Sequence, residues 1–320
     1  MKAIALFSGG LDSILAIRLI QEQGIEVIAF YFNTFLHASR SKNDLDVVKN
    51  GLKQLKISLE TVSAEDNFIE VIRSPKYGYG KNMNPCIDCK IHIFKQAKIY
   101  MDKIGASFLI SGEVVGQRPM SQNRGSLQLI ERKAEVEGLV VRPLSGQLLE
   151  PTIPEKQGWI NREKLLNISG KSRKIQIALA KKYNITEYPT PAGGCLLTEA
   201  SFTKRITDIF IHQEKVAIDD IKLLKIGRHV RLDKKTKLIV GRDEKDNNEL
   251  IKQAKSSDYL FHIEKYPSPY VLLLGEINDV NKKLAASACK HYSNVKNQKD
   301  IKVAMYRESN PKSLSYLKPD

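Results

Sequence analysis

The chain has 320 residues, 42% hydrophobic and 27% charged, the composition of an ordinary folded protein with room for two domains and a well-buried core. No run approaches the ~18–20 apolar residues of a membrane span, and the N-terminus enters a strand pattern directly with no visible signal or transit peptide, so no membrane role and a cytoplasmic location are expected. A formal net charge of +15, from 51 basic and 36 acidic residues, suits a polyanionic partner, above all nucleic acid, although a lysine-rich composition alone would give the same excess.

The apolar run Ala3 to Phe7 reads as a strand, and Ile14, Leu15, Ile17, Leu19 and Ile20 read as the apolar face of a helix. Between them lie Ser8-Gly9-Gly10-Leu11-Asp12-Ser13. Two glycines permit positive φ and close approach of backbone to a ligand. Amide groups at the start of the following helix then point at an anion, aided by the helix dipole. Ser8 and Ser13 add hydroxyls, and Asp12 is placed to hold a cation or orient a nucleotide. A plain strand-to-helix turn with a serine cap would need only part of this pattern.

Val27 to Phe32 predicts a second buried strand, Leu45, Val48, Leu52 and Leu55 a helix over 44–56, and Ile57 to Val62 a third strand. The β-α-β-α-β order predicts a parallel sheet with helices on both faces, whose ligands bind beyond the carboxyl ends of the strands. A Gly/Pro/Asn-rich loop over 74–85 delivers Cys86-Ile87-Asp88-Cys89 to a helix start, with Ile91, Phe94 and Met101 apolar. Helix N-termini bias cysteines toward thiolate. Ser107 to Ile110 predicts a fourth strand, followed by Ser111-Gly112-Glu113 and Gly116-Gln117 at the ligand edge. Residues 127–142 are expected to form two short strands around Glu135 to Gly138. The basic stretch Gly170 to Lys174 precedes a helix with Ile175, Ala178, Leu179 and Tyr183 apolar, and is either an RNA-facing surface or a solvated helix face. The loop Tyr188 to Thr198, stiffened by prolines and loosened by glycines, presents Cys195.

The pattern changes near residue 200, which divides the chain into domains 1–200 and 201–320. The second holds 24 Lys/Arg against 16 Asp/Glu. Helices are predicted over 201–212, 243–255 and 279–291, and strands over 226–232, 236–241, 259–263, 270–274 and 301–306, a smaller α/β unit. The tail from Arg307 to Asp320 is expected to be poorly ordered.

Four cysteines are too few and too unevenly spaced for a disulfide scaffold, so the CxxC pair points to metal, cluster or redox chemistry. Cys86, Cys89 and Cys195 could hold three irons of a 4Fe–4S cluster with the fourth iron open, a zinc ion with a fourth ligand such as His92, or a persulfide that resolves to a disulfide. Cys289, in an apolar helical stretch, reads as core.

The glycine loop resembles the SGGxDS pyrophosphate loop of the PP-loop ATP pyrophosphatases, which have the adenine nucleotide alpha hydrolase-like parallel-sheet fold. Pro85-Cys86-Ile87-Asp88-Cys89-Lys90 and Gly194-Cys195 with Thr198 resemble the two cysteine regions of MnmA-type 2-thiouridine synthetases. Ser111-Gly112-Glu113 with Gly116-Gln117 and Ser121-Gln122 is closer to ThiI-type 4-thiouridine synthetases. Gly227 to Arg231, Gly241-Arg242-Asp243 and Asn247-Asn248 are similar to the NFACT-R type RNA-binding domain. The resemblance covers residues 1–205 and, at the C-terminal side, the second domain.

It implies ATP-dependent thiolation of a uridine in tRNA, with Asp12, Cys89 and Cys195 catalytic. Ser8, Gly9, Gly10, Leu11, Asp12, Ser13, Phe32, Ser111, Gly112 and Gln117 would bind the nucleotide with Mg²⁺. Cys86, Cys89 and Cys195 would hold the 4Fe–4S cluster. No THUMP-like region or rhodanese-like extension is visible, so the sulfur donor, sulfide or a persulfide carrier, stays open. The alternatives are a pyrophosphatase acting on a small molecule, by amidation or deazaguanine-type chemistry, and a non-catalytic RNA-binding protein that responds to ATP.

Overall fold

Glycine turns and apolar runs divide the chain into two compact units, Met1–Ala200 and Ser201–Asp320, in a computed structural model that describes residues 1–36, 44–188, 194–307 and 310–319. The expected loop residues Pro189 to Gly193 lie outside the described residues.

In unit 1, near-continuous apolar runs make strands that can be buried on both faces, except the more polar and exposed edge strand over 59–63. They are β1 (Lys2–Leu6), β2 (Glu26–Asn33), β3 (Leu59–Ser63), β4 (Phe108–Ser111) and β5 (Val140–Val141). All pair in parallel, in the order β3-β2-β1-β4-β5. The order runs outward in opposite directions from β1 and β4, so a crevice opens at their carboxyl ends. The glycine loop leaves β1 there.

The helices are α1 (Leu11–Gln21), α2 (Asp44–Lys53), α3 (Asn67–Arg73), α4 (Cys86–Lys103), α5 (Arg124–Lys133), the single turn α6 (Ile153–Lys156) and α7 (Lys174–Lys182). α1 sends Ile14, Leu15, Ile17 and Ile20 into a core shared with Ala3, Ala5, Phe108 and Ile110. At ~25 cal/mol per Å² of apolar area, burying such a side chain contributes about 1.5–3 kcal/mol before chain entropy is charged against it.

Two expectations for this unit are corrected. Residues 127–133 are helix, not strand, because Asn123 caps α5 by accepting from the Ser126 amide, and Leu127 and Ile130 bury at helical spacing. In α7 the buried positions are Gln176 and Ala180, while Ile175 and Ile177 are exposed.

Unit 2 holds α8 (Ala200–His212), α9 (Ile218–Leu223), β6 (Arg228–Arg231), β7 (Lys237–Val240), α10 (Glu244–Gln253), β8 (Tyr259–His262), β9 (Val271–Leu274), α11 (Asp279–His291), β10 (Val303–Arg307) and β11 (Asn310–Leu317). Its sheet runs β11-β10-β8-β9-β7-β6, with every pair antiparallel. One face packs Leu238, Val240, Phe261 and Val303 with Ala285 and Cys289 of α11; the other packs Ile239, Leu260 and Leu272 with Leu223 and Leu250. Cys289 is core, as expected. The tail is not: residues 310–317 form β11, because the alternation Leu314, Tyr316, Lys318 with Ser315 and Leu317 lets it pair along β10.

Candidate functional site

The glycine loop is built by its own side chains. Gly9 sits at φ +75°, a conformation that costs glycine little and other residues more. Gly10 is the extended N-cap of α1, and its carbonyl accepts from the Ser13 hydroxyl at 2.7 Å and the Ser13 and Ile14 amides. Ser8 Oγ accepts from the Gly10 amide at 3.4 Å and lies 3.4 Å from Ser13 Oγ. The two serines thus lace the loop closed across the glycines.

Gly112, just past β4, lies against this loop. A Cβ placed there would fall 2.6 Å from the Ser13 amide nitrogen, so only glycine fits without a shift of backbone. Ser111 is buried, its hydroxyl accepting from the Glu113 amide. Gln117 donates through Nε2 to Asp12 Oδ2 at 3.1 Å. Phe32 is buried among Phe68 and His92, with ring centroids at 5.7 and 5.4 Å. Burial keeps His92 below the usual imidazole pKa.

Arg173 Nη2 lies 3.9 Å from Asp12 Oδ2. The sequence reading put Arg173 in a basic stretch that could face RNA. The segment just before Arg173 is anchored by Gly170, which donates its amide to Val115 O at 2.8 Å, and by a bridge between Val115 and Ser169. Asp12 Oδ1 is buried and has no hydrogen-bond partner among the described residues, the kind of open carboxylate oxygen that suits a divalent cation.

The cysteine region is assembled from distant segments. Cys86 and Cys89 occupy the first turn of α4, entered from Pro85. Asp88 accepts from the Lys76 and Tyr77 amides, tying the preceding loop to the helix start. That loop in turn holds the third cysteine's segment: Met83 donates its amide to Leu197 O, and Asn82 Nδ2 donates to Thr198 O at 2.8 Å. Cys195 caps the short turn Leu196–Thr198, where Thr198 Oγ1 donates to its carbonyl.

The result is three thiols within electrostatic reach of one another. Burial pushes Cys89 far up, and the Cys195 and Cys86 thiols add to the shift, with Lys90 opposing. Burial likewise pushes Cys195 up to about 11; Cys86 adds to it and Arg118 opposes. For Cys89 the expected bias toward thiolate is therefore corrected: desolvation outweighs the helix N-terminus. Cys89 and Cys195 are desolvated and Cys86 lies within electrostatic reach of both, a grouping whose thiolate forms a metal cation would stabilise. By residue type alone, three thiols are the donors of a cluster held by three protein ligands. As they stand, the thiols are not drawn in to ligand spacing, because among the described residues no group of three or more His, Cys, Asp or Glu could hold a metal ion.

A buried ion network joins the two regions, and sequence reasoning missed it. Glu113, next to Gly112, pairs with Lys90, next to Cys89, and accepts from Arg142 Nε at 3.0 Å; Arg142 also pairs with Glu131. Burial works to raise the Glu113 pKa, but Lys90 and Arg142 outweigh it and hold the carboxyl at about 2. The only sequence signal was an arginine directly after the apolar pair Val140–Val141, where burial would require a partner.

Residues 1–152 match the family model for the thiamine biosynthesis protein ThiI, and residues 227–319 match that for the NFACT protein RNA binding domain. The resemblance read from the sequence holds. A probable tRNA sulfurtransferase of Thermococcus kodakarensis is 28% identical over 151 residues, 45% of this chain and 37% of its own length. A tRNA-specific 2-thiouridylase, MnmA 2 of Fusobacterium nucleatum, is 31% identical over 115 residues, 35% of this chain and 33% of its own. The chain thus spans about a third of the length of such curated relatives. A 4-thiouridine synthetase solved with RNA and bound ATP aligns at 18% identity and TM-score 0.42, covering 70% of this chain and 52% of that one. Among the described residues, no helix is long and apolar enough to cross a membrane.

Proposed function

We propose that this protein activates a uridine of tRNA with ATP and replaces its oxygen with sulfur, in the cytoplasm. The observation that carries the reading is the Lys90–Glu113 pair. It ties the residue after Cys89 to the residue after Gly112, and so ties the cysteines to the glycine loop. The match to ThiI over residues 1–152 supports the same chemistry.

In this reading the Ser8–Ser13 loop holds the pyrophosphate of ATP through its amides and hydroxyls. Asp12 would hold Mg²⁺ through its unpartnered Oδ1, and that ion, when bound, supplies positive charge to the phosphates. Gln117 and Arg173 fix the Asp12 carboxylate, and Arg173 adds a cation beside it. The uridine carbonyl oxygen attacks the α-phosphorus, the bond to the β-phosphate oxygen breaks, and pyrophosphate leaves on the loop amides. A sulfur nucleophile then attacks the activated ring carbon, and the carbon–oxygen bond breaks to release AMP. Cys86, Cys89 and Cys195 would hold a 4Fe–4S cluster, which when bound offers a fourth iron open to sulfide. Lys90 and Arg118 lie beside the thiols and favour their ionised form.

The test is incubation of anaerobically purified protein with ATP, sulfide and unmodified tRNA, followed by mass analysis of the nucleosides. A thiouridine together with released pyrophosphate is expected, and the position of sulfur identifies the 2-thio or 4-thio product. Pyrophosphate release without RNA would instead indicate a small-molecule substrate, and tRNA binding without release a non-catalytic binder. Active protein that is colourless and iron-free would sink the cluster assignment.

A further inference from the structure

Helices cover the two faces of the unit 2 sheet unequally. α11 lines one face. On the other, Leu223 of α9 and Leu250 of α10 pack on Ile239, Leu260 and Leu272, and Asp208 of α8 holds Arg231 and Lys237. Strand register identifies the rest of this second face. His262 pairs with Ala304, and Ala304 with Tyr316, so these three form a row across β8, β10 and β11. Tyr306, paired with Leu260, flanks that row on the same side.

Aromatic rings dominate this stretch. Tyr270 stacks on His262 with centroids 4.7 Å apart and planes 5° from parallel, and Tyr306 meets His262 edge-on at 5.7 Å. Tyr316 is 50% exposed. The Tyr316 hydroxyl donates to Glu264 at 2.7 Å, which fixes the ring without covering it. His262 Nδ1 is buried and has no partner among the described residues. Lys302 and Lys318, just outside the ends of β10 and β11, are exposed, with Lys318 paired to Asp300 at 3.3 Å.

We propose that this open face stacks the bases of unpaired RNA nucleotides. The proposal rests on the reading of unit 2 as RNA-binding, and adds to it the surface and the state of the RNA. The exposed Tyr316 ring and the partly buried His262 and Tyr306 rings offer flat apolar surface to bases, and in a duplex those base faces are already occupied by stacking. The exposed Lys302, next to β10 in sequence, offers a charge to a phosphate backbone, in a unit with a clear excess of basic residues. A protein partner on the same face would not require accessible ring planes and would show no preference for unpaired RNA.

The experiment uses the full chain and fluorescence anisotropy with a labelled, unstructured RNA of about 12 nucleotides, and a hairpin of equal length. The single strand is expected to bind more tightly than the hairpin. Tyr316→Ala is expected to weaken single-strand binding about tenfold with the salt dependence unchanged, since no phosphate contact is lost. Tyr316→Phe keeps the ring and should bind as the parent does. Lys302→Ala should instead lower the salt slope by about one. Thermal unfolding of each variant confirms that it is folded. Unaltered single-strand affinity in folded Tyr316→Ala would overturn the proposed face while leaving RNA binding by unit 2 intact. An unmodified chain that binds neither RNA overturns both.

Discussion

Both units set helices against a sheet, but strand direction gives them different ways to meet a ligand. The parallel strands of unit 1 bring their carboxyl ends to one edge, and the chain leaves β1 and β4 there as the glycine loop and the Ser111–Gln117 segment. Chemistry is concentrated at points, and the charges that support it are buried: Glu113 and Arg142 are 7% and 3% exposed. The antiparallel strands of unit 2 end at both edges, so no single edge collects functional groups. Its main charge cluster, Asp208 with Arg231 and Lys237, is only partly buried, and its opportunity for recognition is a face. Parallel topology favours a reaction site and antiparallel topology an open platform.

Four measurements test that contrast, in order of expected effect. Arg142→Met removes the cation that Glu113 and Glu131 share in the interior of unit 1. It should cost about 3–5 kcal/mol in denaturant unfolding, because two carboxylates lose their buried partner. A loss near 1 kcal/mol would place the network in contact with solvent and weaken the contrast.

The acid limb of unit 1 should follow Glu113. Its folded pKa of about 2 lies below its ordinary value, so its contribution is fully present above pH ~4.5 and is lost as pH falls toward 2. The amount is on the order of 3 kcal/mol. Unfolding followed from pH 6 to pH 2 should show this slope in the parent and a shallower one in Glu113→Gln.

In unit 2, Asp208→Asn should cost about 1–3 kcal/mol, since Lys237 is left buried beside a neutral amide. Asp208 is itself held below the usual carboxylate range: burial works to raise it, and the Arg231 and Lys237 hydrogen bonds outweigh that. An effect as large as that of Arg142→Met would erase the distinction between the units. The smallest change is expected from Lys98→Ala on α4, whose pair with Asp102 is surface-exposed and worth about 0.2–1 kcal/mol by urea unfolding.

The parallel sheet was legible because its strands are continuous apolar runs joined by helices of plain period, and the glycine loop announces itself by residue type. In unit 2 the β6–β10 pattern was legible for similar reasons. Residues 127–133 were misread because Leu127, Leu129 and Ile130 satisfy both a strand and a helix pattern, and the Asn123 cap decided between them. β11 was misread because a polar, proline-containing tail has no core-forming signal of its own. It becomes a strand only when β10 offers an edge.

The sequence by itself determined the elements of the reaction site: a loop that can hold phosphate, and three cysteines of the type that binds metal or carries sulfur. These follow from local chemistry, since glycine permits the turn, serine closes it and thiols ligate. Tertiary structure alone decided who meets whom. It set Arg173 beside Asp12, joined Lys90 to Glu113, and brought Cys195 to Cys86 and Cys89 through loops pinned at Met83 and Asn82. It also raised the Cys89 and Cys195 thiols against the expected ionisation. Such pairings span up to about half the chain and carry no local periodic signal, and desolvation is set by whatever packs around a group.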